Sequence, residues 1–314
     1  MAARYKPAEI LFIAWGDSAH QLKIGEPDYI EGDTTPPDPF ADGWTETAGP
    51  TQGFVDKDEN VYVSSYLFSQ FKGFNKDGEL LFNYSAEESE FWDGEFSGGV
   101  VSKFYVDSLG QIYVKFFPPY SYIPVVDRSD KLIARLFPLG ETSELKVANF
   151  WPNSNDVLTV FMSSYERKIN MTYKDDQFFL GGSPSWRARD GYYYYCRYVD
   201  STSLHFYKYS DPDTNGIPPS LDTTTVPLET PVFGSSFLGV DDDLYLYVLV
   251  GWGTPERPSI LIYNMQYEQV NQIIPPEYNN KYLVRMGYCV RPDGNVYEFR
   301  CLDDGLHVIK WSKE

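Results

Sequence analysis

The segment from Asp211 to Asp222 has the clearest metal-ligand spacing in the chain, with the sequence DPDTNGIPPSLD. Oxygen ligands at positions one, three, five, seven and twelve, with glycine at position six, follow the order of a calcium-binding loop. Here those ligands would be the side chains of Asp211, Asp213, Asn215 and Asp222 and the backbone carbonyl of Ile217. Position twelve is the shorter Asp, and two prolines occupy the place where a helix would begin. The pattern therefore predicts either a structural Ca²⁺ site without flanking helices or a long polar hairpin loop.

The usual side-chain combinations of catalytic and zinc sites are missing from the sequence. His20, His205 and His307 are widely separated, and no His-x-x-x-His, Cys-x-x-Cys, Gly-x-Ser-x-Gly or Gly-rich phosphate-loop spacing occurs. The three cysteines are too few for a disulfide framework, so we expect buried free thiols. The sequence therefore assigns no catalytic residue.

Aromatic side chains in predicted long loops are the candidate ligand-binding groups. Loops held by a rigid scaffold commonly carry function. The acidic connector 85–99 (SAEESEFWDGEFSGG) combines rings with carboxylates, which suits a sugar or a basic protein. The predicted binding surface, called here the long-loop face, comprises Trp44, Trp92, Phe116, Phe117, Tyr120, Tyr165, Tyr198 and Trp252. The alternatives are that these rings cap the core and that the connector is simply solvated.

The overall charge limits the classes of partner. Asp and Glu total 45 against 26 Lys and Arg, giving a net charge of −19. A nucleic-acid partner is disfavoured because phosphate binding requires a basic surface, and no apolar run is long enough to span a membrane. We expect a monomer with a protein or carbohydrate ligand. We also expect an exported protein (periplasmic, surface or secreted), although this chain shows no signal peptide.

A strand–turn–strand pattern recurs about six times along the chain. Its turns are KDEN, SLGQ, PNSND, DG, DDD and PDGN, rich in the Asp, Asn and Gly residues that tight hairpins require. The second strand of each unit is marked by Tyr62, Tyr113, Leu158, Tyr193, Tyr245 and Tyr297, at intervals of 51, 45, 35, 52 and 52 residues. Strand-rich units of this length are typical of β-propellers.

We therefore predict an all-β fold, a single six-bladed β-propeller over residues 1–314 with four antiparallel strands per blade. The predicted blades cover about residues 53–85, 102–138, 146–181, 185–228, 232–275 and 282–311. The last unit lacks a fourth strand, which the apolar segment 10–15 would supply, closing the ring and removing an open sheet edge. The alternative is two β-sandwiches in tandem.

Three of the units resemble known propellers. The segments GFVDKDENVYV with FKGFNKDGELL, FYVDSLGQIYV with VVDRSDKLIARL, and YCVRPDGNVYEF are similar to six-bladed propellers of the NHL and related bacterial type, at the superfamily level. The resemblance implies the architecture and leaves the activity open, since one fold serves many functions.

The sequence leaves three functions open. The main hypothesis is a non-catalytic binding module that uses the long-loop face for a protein or glycan. The first alternative is a calcium-assisted hydrolase of the lactonase kind, or a lyase, with its site in the central channel. The second is a structural surface protein. Carboxylates converging on the channel from three or more blades would favour the enzyme.

Overall fold

A computed structural model describes sixteen segments of the chain. They are residues 4–22, 49–65, 70–85, 100–107, 109–117, 120–129, 131–138, 145–152, 158–163, 168–174, 177–180, 186–210, 220–232, 234–251, 258–276 and 287–314. Within these segments the regular structure consists of β-strands, and no helix there is long and apolar enough to cross a membrane.

The strands are numbered in chain order. They are β1 Tyr5–Ala14, β2 Gln52–Val55, β3 Val61–Ser65, β4 Gln70–Phe74, β5 Leu80–Ser85, β6 Val100–Val106, β7 Ile112–Phe117, β8 Ile123–Val126, β9 Leu132–Leu136, β10 Lys146–Pro152, β11 Leu158–Ser163, β12 Lys168–Lys174, β13 Gln177–Leu180, β14 Trp186–Arg187, β15 Tyr193–Asp200, β16 Ser203–Tyr209, β17 Ser220–Pro227, β18 Ser235–Val240, β19 Leu246–Val250, β20 Ser259–Tyr263, β21 Gln269–Ile273, β22 Tyr288–Val290, β23 Val296–Cys301 and β24 Gly305–Lys313.

The described strands form six four-stranded antiparallel sheets. Sheets one to five take consecutive strands, namely β2–β5, β6–β9, β10–β13, β14–β17 and β18–β21. Sheet six has the order β22-β23-β24-β1. The N-terminal strand, predicted over 10–15, is longer than expected and pairs along β24 from Tyr5 with Lys313 to Ala14 with Gly305. The prediction of an all-β chain built from four-stranded antiparallel sheets is confirmed.

A repeated Asp–Tyr contact closes the first hairpin of several sheets. The carboxylate of Asp56 accepts hydrogen bonds from the backbone N–H groups of Asp58 (2.9 Å) and Asn60 (3.0 Å) and from the hydroxyl of Tyr62 (2.9 Å). Equivalent tyrosine contacts, Tyr113 to Asp107, Tyr194 to Asp190 and Tyr247 to Asp241, measure 3.1, 2.7 and 2.8 Å. Each Asp therefore satisfies turn donors and a buried hydroxyl together, across a spacing of six residues in sheets one, two and five and of four residues in sheet four.

Two of the predicted tyrosine markers are displaced from these contacts. The tyrosine that donates to the turn carboxylate is Tyr194 in sheet four and Tyr247 in sheet five. The residues that marked the second strand in the sequence, Tyr193 and Tyr245, are different ones. In sheet six Arg291 replaces the turn Asp, and the hydroxyl of Tyr297 donates instead to Glu59 of sheet one (3.1 Å). The same tyrosine position thus serves either one hairpin or the contact between two sheets.

The core consists of hydrophobic clusters between consecutive sheets. One cluster joins sheets six and one, and others join one with two, two with three, four with five, and five with six. Strand β3 shows the reason, because Val61 and Val63 point into the cluster with sheet six while Tyr62 points into the cluster with sheet two. Side chains alternate between the two faces of a strand, and here both faces are covered, so all five residues of β3 are buried.

Candidate functional site

The first strands of several neighbouring sheets approach one another. The side chain of Gln52 in β2 bonds the carbonyl (2.9 Å) and the N–H (3.1 Å) of Phe104 in β6. Cα positions of β2 also approach those of β22, and β18 lies near both β14 and β22. Fourth strands such as β9 and β21 are instead partly exposed along their length. We call the set β2, β6, β10, β14, β18 and β22 the inner edge.

The inner edge differs in charge from the rest of the chain. Within their described bounds, none of its six strands contains Asp or Glu, although the protein carries 45 acidic residues. The charged residues on these strands are Lys103, Lys146 and Arg187. An acidic protein therefore presents neutral and basic residues along its inner edge.

Two lysines lie opposite each other where sheet two contributes to this edge. Lys103 in β6 is the cross-strand partner of Lys115 in β7. The register shifts between Val101 and Lys103, so Ser102 is the extra residue of a bulge. The ammonium group of Lys115 donates to the hydroxyl of Ser102 (3.0 Å), and that hydroxyl lies 3.2 Å from the carbonyl of Lys115, to which it donates. Like charges directly opposite each other destabilise a sheet, so this pair is an unusual feature of the scaffold.

The surroundings of Lys103 change its protonation. Its ammonium group lies 6.0 Å from the centre of the Phe150 ring in sheet three, and the side chain is half-buried. Burial, together with the charge of Lys115, lowers the pKa of Lys103 to about 8. Burial also lowers the pKa of Lys115. An amine with a pKa near 8 is partly neutral at physiological pH, so it could act as a base or a nucleophile.

Other buried charges have structural roles. Lys72 is 2% exposed, and its ammonium group donates to the carbonyls of Ser18 and Ala19 (both 3.2 Å) and of Gln21 (2.5 Å). These contacts attach the segment after β1 to sheet one.

Glu298 is the buried carboxylate of β23. It is fully buried and accepts hydrogen bonds from Arg300 (2.7 Å), Trp311 (2.9 Å) and Tyr288 (3.3 Å). Its charge is therefore matched by a guanidinium and two neutral donors, as a buried ion requires.

The predicted calcium segment lies mostly outside the described residues. Asp211, Asp213, Asn215 and Ile217 belong to that part of the chain. Asp222 is described, and it is an exposed residue within β17 that pairs across the sheet with Lys208. Among the described residues no cluster of three or more His, Cys, Asp or Glu could hold a metal ion. The Ca²⁺ site stays a prediction.

The predicted aromatic surface is only partly within the described residues. Trp44, Trp92, Tyr165 and Trp252 lie outside them. The sequence analysis placed Phe116 and Tyr198 in loops, whereas both lie in strands, β7 and β15. Phe116 is 1% exposed and contacts Tyr84 and Tyr120, with ring centres 5.8 and 5.9 Å away.

Three further residues of that surface belong to the described part of the chain. Phe117 is the last residue of β7, and Tyr120 follows it as a half-buried residue. Tyr198 is also half-buried and packs against the cluster between sheets four and five. Phe116 and Tyr198 thus contribute to packing, and a ligand contact by any of these residues stays a prediction.

Free thiols and one histidine complete the set of titratable candidates. Cys196 and Cys301 are buried, Cys289 is half-buried, and all three are free, as expected from their number. His307 lies between two carboxylates, with Nδ1 2.6 Å from Glu9 and Nε2 2.9 Å from Asp304. Burial opposes its protonation, but the hydrogen bonds to both carboxylates dominate and raise the pKa of His307.

Sequence reasoning missed the lysine pair. The available signal was a lysine within each of two apolar strands, VVSKFYV and IYVKFF. A single lysine in such a strand is commonly solvated at its tip, so only the cross-strand register shows that the two positions meet.

Comparisons with known proteins bear on the fold. No protein-family model matches this chain, and a search of curated proteins finds no match. A luciferin-regenerating enzyme is similar in structure at 12% identity, over 84% of this chain and 91% of that chain, with a TM-score of 0.49. The calcium-binding protein regucalcin from Agrobacterium tumefaciens is similar at 10% identity, over 84% and 90%, with a TM-score of 0.45. Virginiamycin B lyase from Staphylococcus aureus is similar at 12% identity, over 83% and 84%, with a TM-score of 0.43. Identities of this order leave the activity open.

Proposed function

We propose that the six sheets are the blades of one closed β-propeller. Sheet one shares a hydrophobic cluster with sheet six on one side and with sheet two on the other. Tandem sandwiches would instead pack their sheets in face-to-face pairs. The pairing of β1 with β24 supports closure between the chain ends.

We further propose that this propeller binds a small anionic molecule at its inner edge, beside sheet two. The observation that carries the proposal is the exclusion of Asp and Glu from all six inner strands of a protein with net charge −19, together with the half-buried pair Lys103–Lys115. Basic groups at a concave, partly desolvated site attract anions more strongly than the same groups in water. Lys103 is the central residue of β6, which runs from Val100 to Val106.

An enzyme is favoured over a passive binding module at this site. A half-buried titratable group with a like charge directly opposite it is a candidate for a functional site, and Lys103, the cross-strand partner of Lys115, is such a group. The described inner strands carry no Asp or Glu, so they do not supply the converging carboxylates expected of a calcium-assisted hydrolase. The proposed enzyme, a hydrolase or lyase that would use the lysine pair in place of such a metal site, is preferred here to the protein- or glycan-binding module. The expectations from the sequence that the protein is a monomer, is exported and binds a macromolecular ligand remain proposals.

The proposed Ca²⁺ ion is a structural ion and is not part of the proposed anion site. The inner strands offer no carboxylate to a Ca²⁺ ion, so a metal-assisted reaction there would depend on ligands from the loops. We retain Ca²⁺ as a structural ion of the segment 211–222. If it binds there, adding a chelator lowers the melting temperature and the addition of Ca²⁺ restores it. Identical melting curves with and without the chelator would remove the site.

The proposed ligand class can be tested by thermal shift. Pairs of compounds matched in shape, acetate with acetamide and gluconate with glucose, separate charge from size. We expect anions to raise the melting temperature, neutral partners to leave it unchanged, and added NaCl to reduce the effect through screening. Stabilisation by neutral sugars alone would favour the glycan-binding hypothesis instead.

A further inference from the structure

The partly exposed residues of β6 and β7 meet at one place, the bulge of sheet two. Of residues 101–106 and 112–116, Ser102, Lys103 and Lys115 keep part of their surface exposed, and the others are buried. Ser102 is the extra residue of the bulge, and Lys103 is the cross-strand partner of Lys115. A small molecule bound at this part of the inner edge would therefore meet a hydroxyl group as well as amines. This inference rests on the proposed function, because it concerns the same site.

The hydroxyl of Ser102 and the amine of Lys115 are in direct contact. Nζ of Lys115 lies 3.0 Å from Oγ of Ser102, and the same Oγ lies 3.2 Å from the backbone carbonyl of Lys115. In the ammonium form, the amine donates to the hydroxyl and the hydroxyl donates to the carbonyl. Once Lys115 loses a proton, its nitrogen can accept the hydroxyl hydrogen, which needs only a rotation about the Cβ–Oγ bond. A nucleophile within hydrogen-bond distance of a base is the arrangement that covalent catalysis requires.

We propose that Ser102 is the nucleophile and Lys115 the general base of an esterase site for small carboxylate-bearing esters. The contact between Oγ and Nζ and the partial exposure of both residues carry this assignment. Burial also lowers the pKa of Lys115, which increases the fraction of the neutral amine at a given pH. The preference for an ester that bears a carboxylate follows from the proposed anion site.

The reaction is a balanced hydrolysis. The neutral amine of Lys115 takes the proton of the Ser102 hydroxyl while Oγ forms a bond to the ester carbonyl carbon. The bond from that carbon to the alcohol oxygen then breaks, and Lys115 returns the proton to the leaving alcohol. Water attacks the acyl-serine in the same way, with Lys115 taking its proton and returning it to Oγ as the acid leaves. The net change is ester plus water to acid plus alcohol.

Other serines lack this combination of contact and exposure. Ser64 and Ser65 of β3 are 0% and 1% exposed, so a substrate does not reach their hydroxyls. Ser129 is exposed, but its hydroxyl donates to the carboxylate of Asp127 at 2.8 Å. A carboxylate is a much weaker base than an amine, and a general base is most effective when its pKa lies near the working pH. We therefore expect Ser102 to be acylated before these serines.

The test is acyl transfer from 4-acetoxybenzoate to the full chain at pH 8. Absorbance follows the release of 4-hydroxybenzoate, and mass spectrometry locates the acetyl group. Hydroxylamine removes an acetyl group from a serine ester but leaves an acetylated lysine intact, which separates Ser102 from the adjacent Lys103. We expect a hydroxylamine-sensitive acetyl group on Ser102. The neutral methyl ester of the same compound should be hydrolysed at least tenfold more slowly after subtraction of the spontaneous rate.

Two variants separate the chemistry from folding. Ser102→Ala should remove the acetyl-serine and lower the hydrolysis rate at least tenfold. Lys115→Arg keeps a positive charge next to Ser102 but stays protonated, so it should lose as much activity while benzoate still raises its melting temperature. The wild-type rate should rise with pH to a midpoint below that of an ordinary lysine, about pH 10.4, and this rise should be absent in Lys115→Arg. Ser129→Ala is the matched control, with unchanged activity.

The outcomes distinguish the two proposals. If anions stabilise the protein but no acetyl-serine forms at residue 102, the esterase site is wrong and the anion site stands. Full activity in either Ser102→Ala or Lys115→Arg, each folded by its melting temperature, would also overturn the esterase site. If Ser102 is acylated equally by the anionic and neutral esters and no anion stabilises the protein, the nucleophile stands and the anion site is wrong. Neither stabilisation nor acylation would show that both are wrong.

Discussion

The charged side chains at the hairpin turns and those at the inner edge have different kinds of neighbours. At the turns each buried carboxylate meets its donors, so that Asp56 bonds Tyr62 and Asn60 and also lies 3.0 Å from Arg128 of sheet two. At the inner edge two lysines, Lys103 and Lys115, are cross-strand partners, and the ammonium group of Lys115 donates to the hydroxyl of Ser102. A fully satisfied carboxylate stabilises the scaffold, whereas like charges directly opposite each other lower the stability of a sheet. The contrast distinguishes carboxylates with a structural role from the lysine pair, for which we propose a binding function.

The largest expected effect is at the turn of sheet one. Asp56→Ala removes a 2%-exposed carboxylate and leaves the hydroxyl of Tyr62 and two N–H groups without acceptors, which should cost about 3–5 kcal/mol. Urea unfolding measures this loss. Asp77→Ala, at an exposed turn of the same sheet, is the control and should change the unfolding free energy by at most about 0.5 kcal/mol. Equal losses for the two variants would contradict a structural role for the Asp–Tyr contact.

A smaller loss is expected where two sheets meet at Lys313. This ammonium group lies 3.0 Å from Asp241, whose side chain is 1% exposed, and 2.8 Å from Asp243. Lys313→Met leaves the buried carboxylate with its hydrogen bond from Tyr247 but without a cation, so we expect a loss of about 2 kcal/mol.

The control for this variant is Lys57→Met, at a pair whose side chains are 55% and 45% exposed. An exposed pair contributes about 0–1 kcal/mol. If both variants lose the same amount in denaturant titrations, the contact between sheets five and six does not depend on Lys313.

Lys115→Met, unlike the two preceding variants, should not lower the unfolding free energy. Removing one of two facing cations relieves repulsion, so the unfolding free energy should stay within about 0.5 kcal/mol of wild type or rise slightly. The stabilisation by anions should disappear. A loss above about 2 kcal/mol would show that the lysine pair belongs to the scaffold, and the comparison with the turns would fail.

The smallest expected effect is a pH dependence at the junction of β1 and β24. His307 contacts Glu9 of β1, and its folded-state pKa lies above that of the unfolded chain. Its contribution to stability is therefore complete below about pH 6.5 and is lost as the pH rises through the folded-state pKa. His307→Gln should flatten this part of the stability–pH curve measured by urea unfolding. An unchanged slope between pH 6 and pH 8 would assign the pH dependence to other groups.

Local turn chemistry explains why much of the fold was accessible from sequence. In the hairpins that contain KDEN and SLGQ, an Asp directly before the turn and a Tyr in the following strand have the same spacing. Between them lies a residue in the left-handed backbone conformation, which in SLGQ is Gly110 with φ 82°. Glu59 occupies the same position with φ 62°, where its carboxylate bonds Lys310 at 2.6 Å. A contact from another sheet therefore supports a conformation that a side chain rarely adopts, and no local pattern reveals it.

The sequence by itself determined the strand-rich repeat, the need for an N-terminal strand beside β24, and the acidic balance of the chain. The repeat depends on turns and strands close together in sequence, the N-terminal strand follows from counting the repeats along the chain, and the acidic balance depends on composition, so all three can be predicted without the fold. Only the tertiary structure showed that the inner strands exclude carboxylates and that Lys103 meets Lys115 beside Phe150 of the next sheet. The bulge at Ser102 sets the register of β6 against β7 and so places Lys103 opposite Lys115. Burial lowers the pKa of Lys103. The candidate site therefore depends on contacts between residues that are distant in sequence.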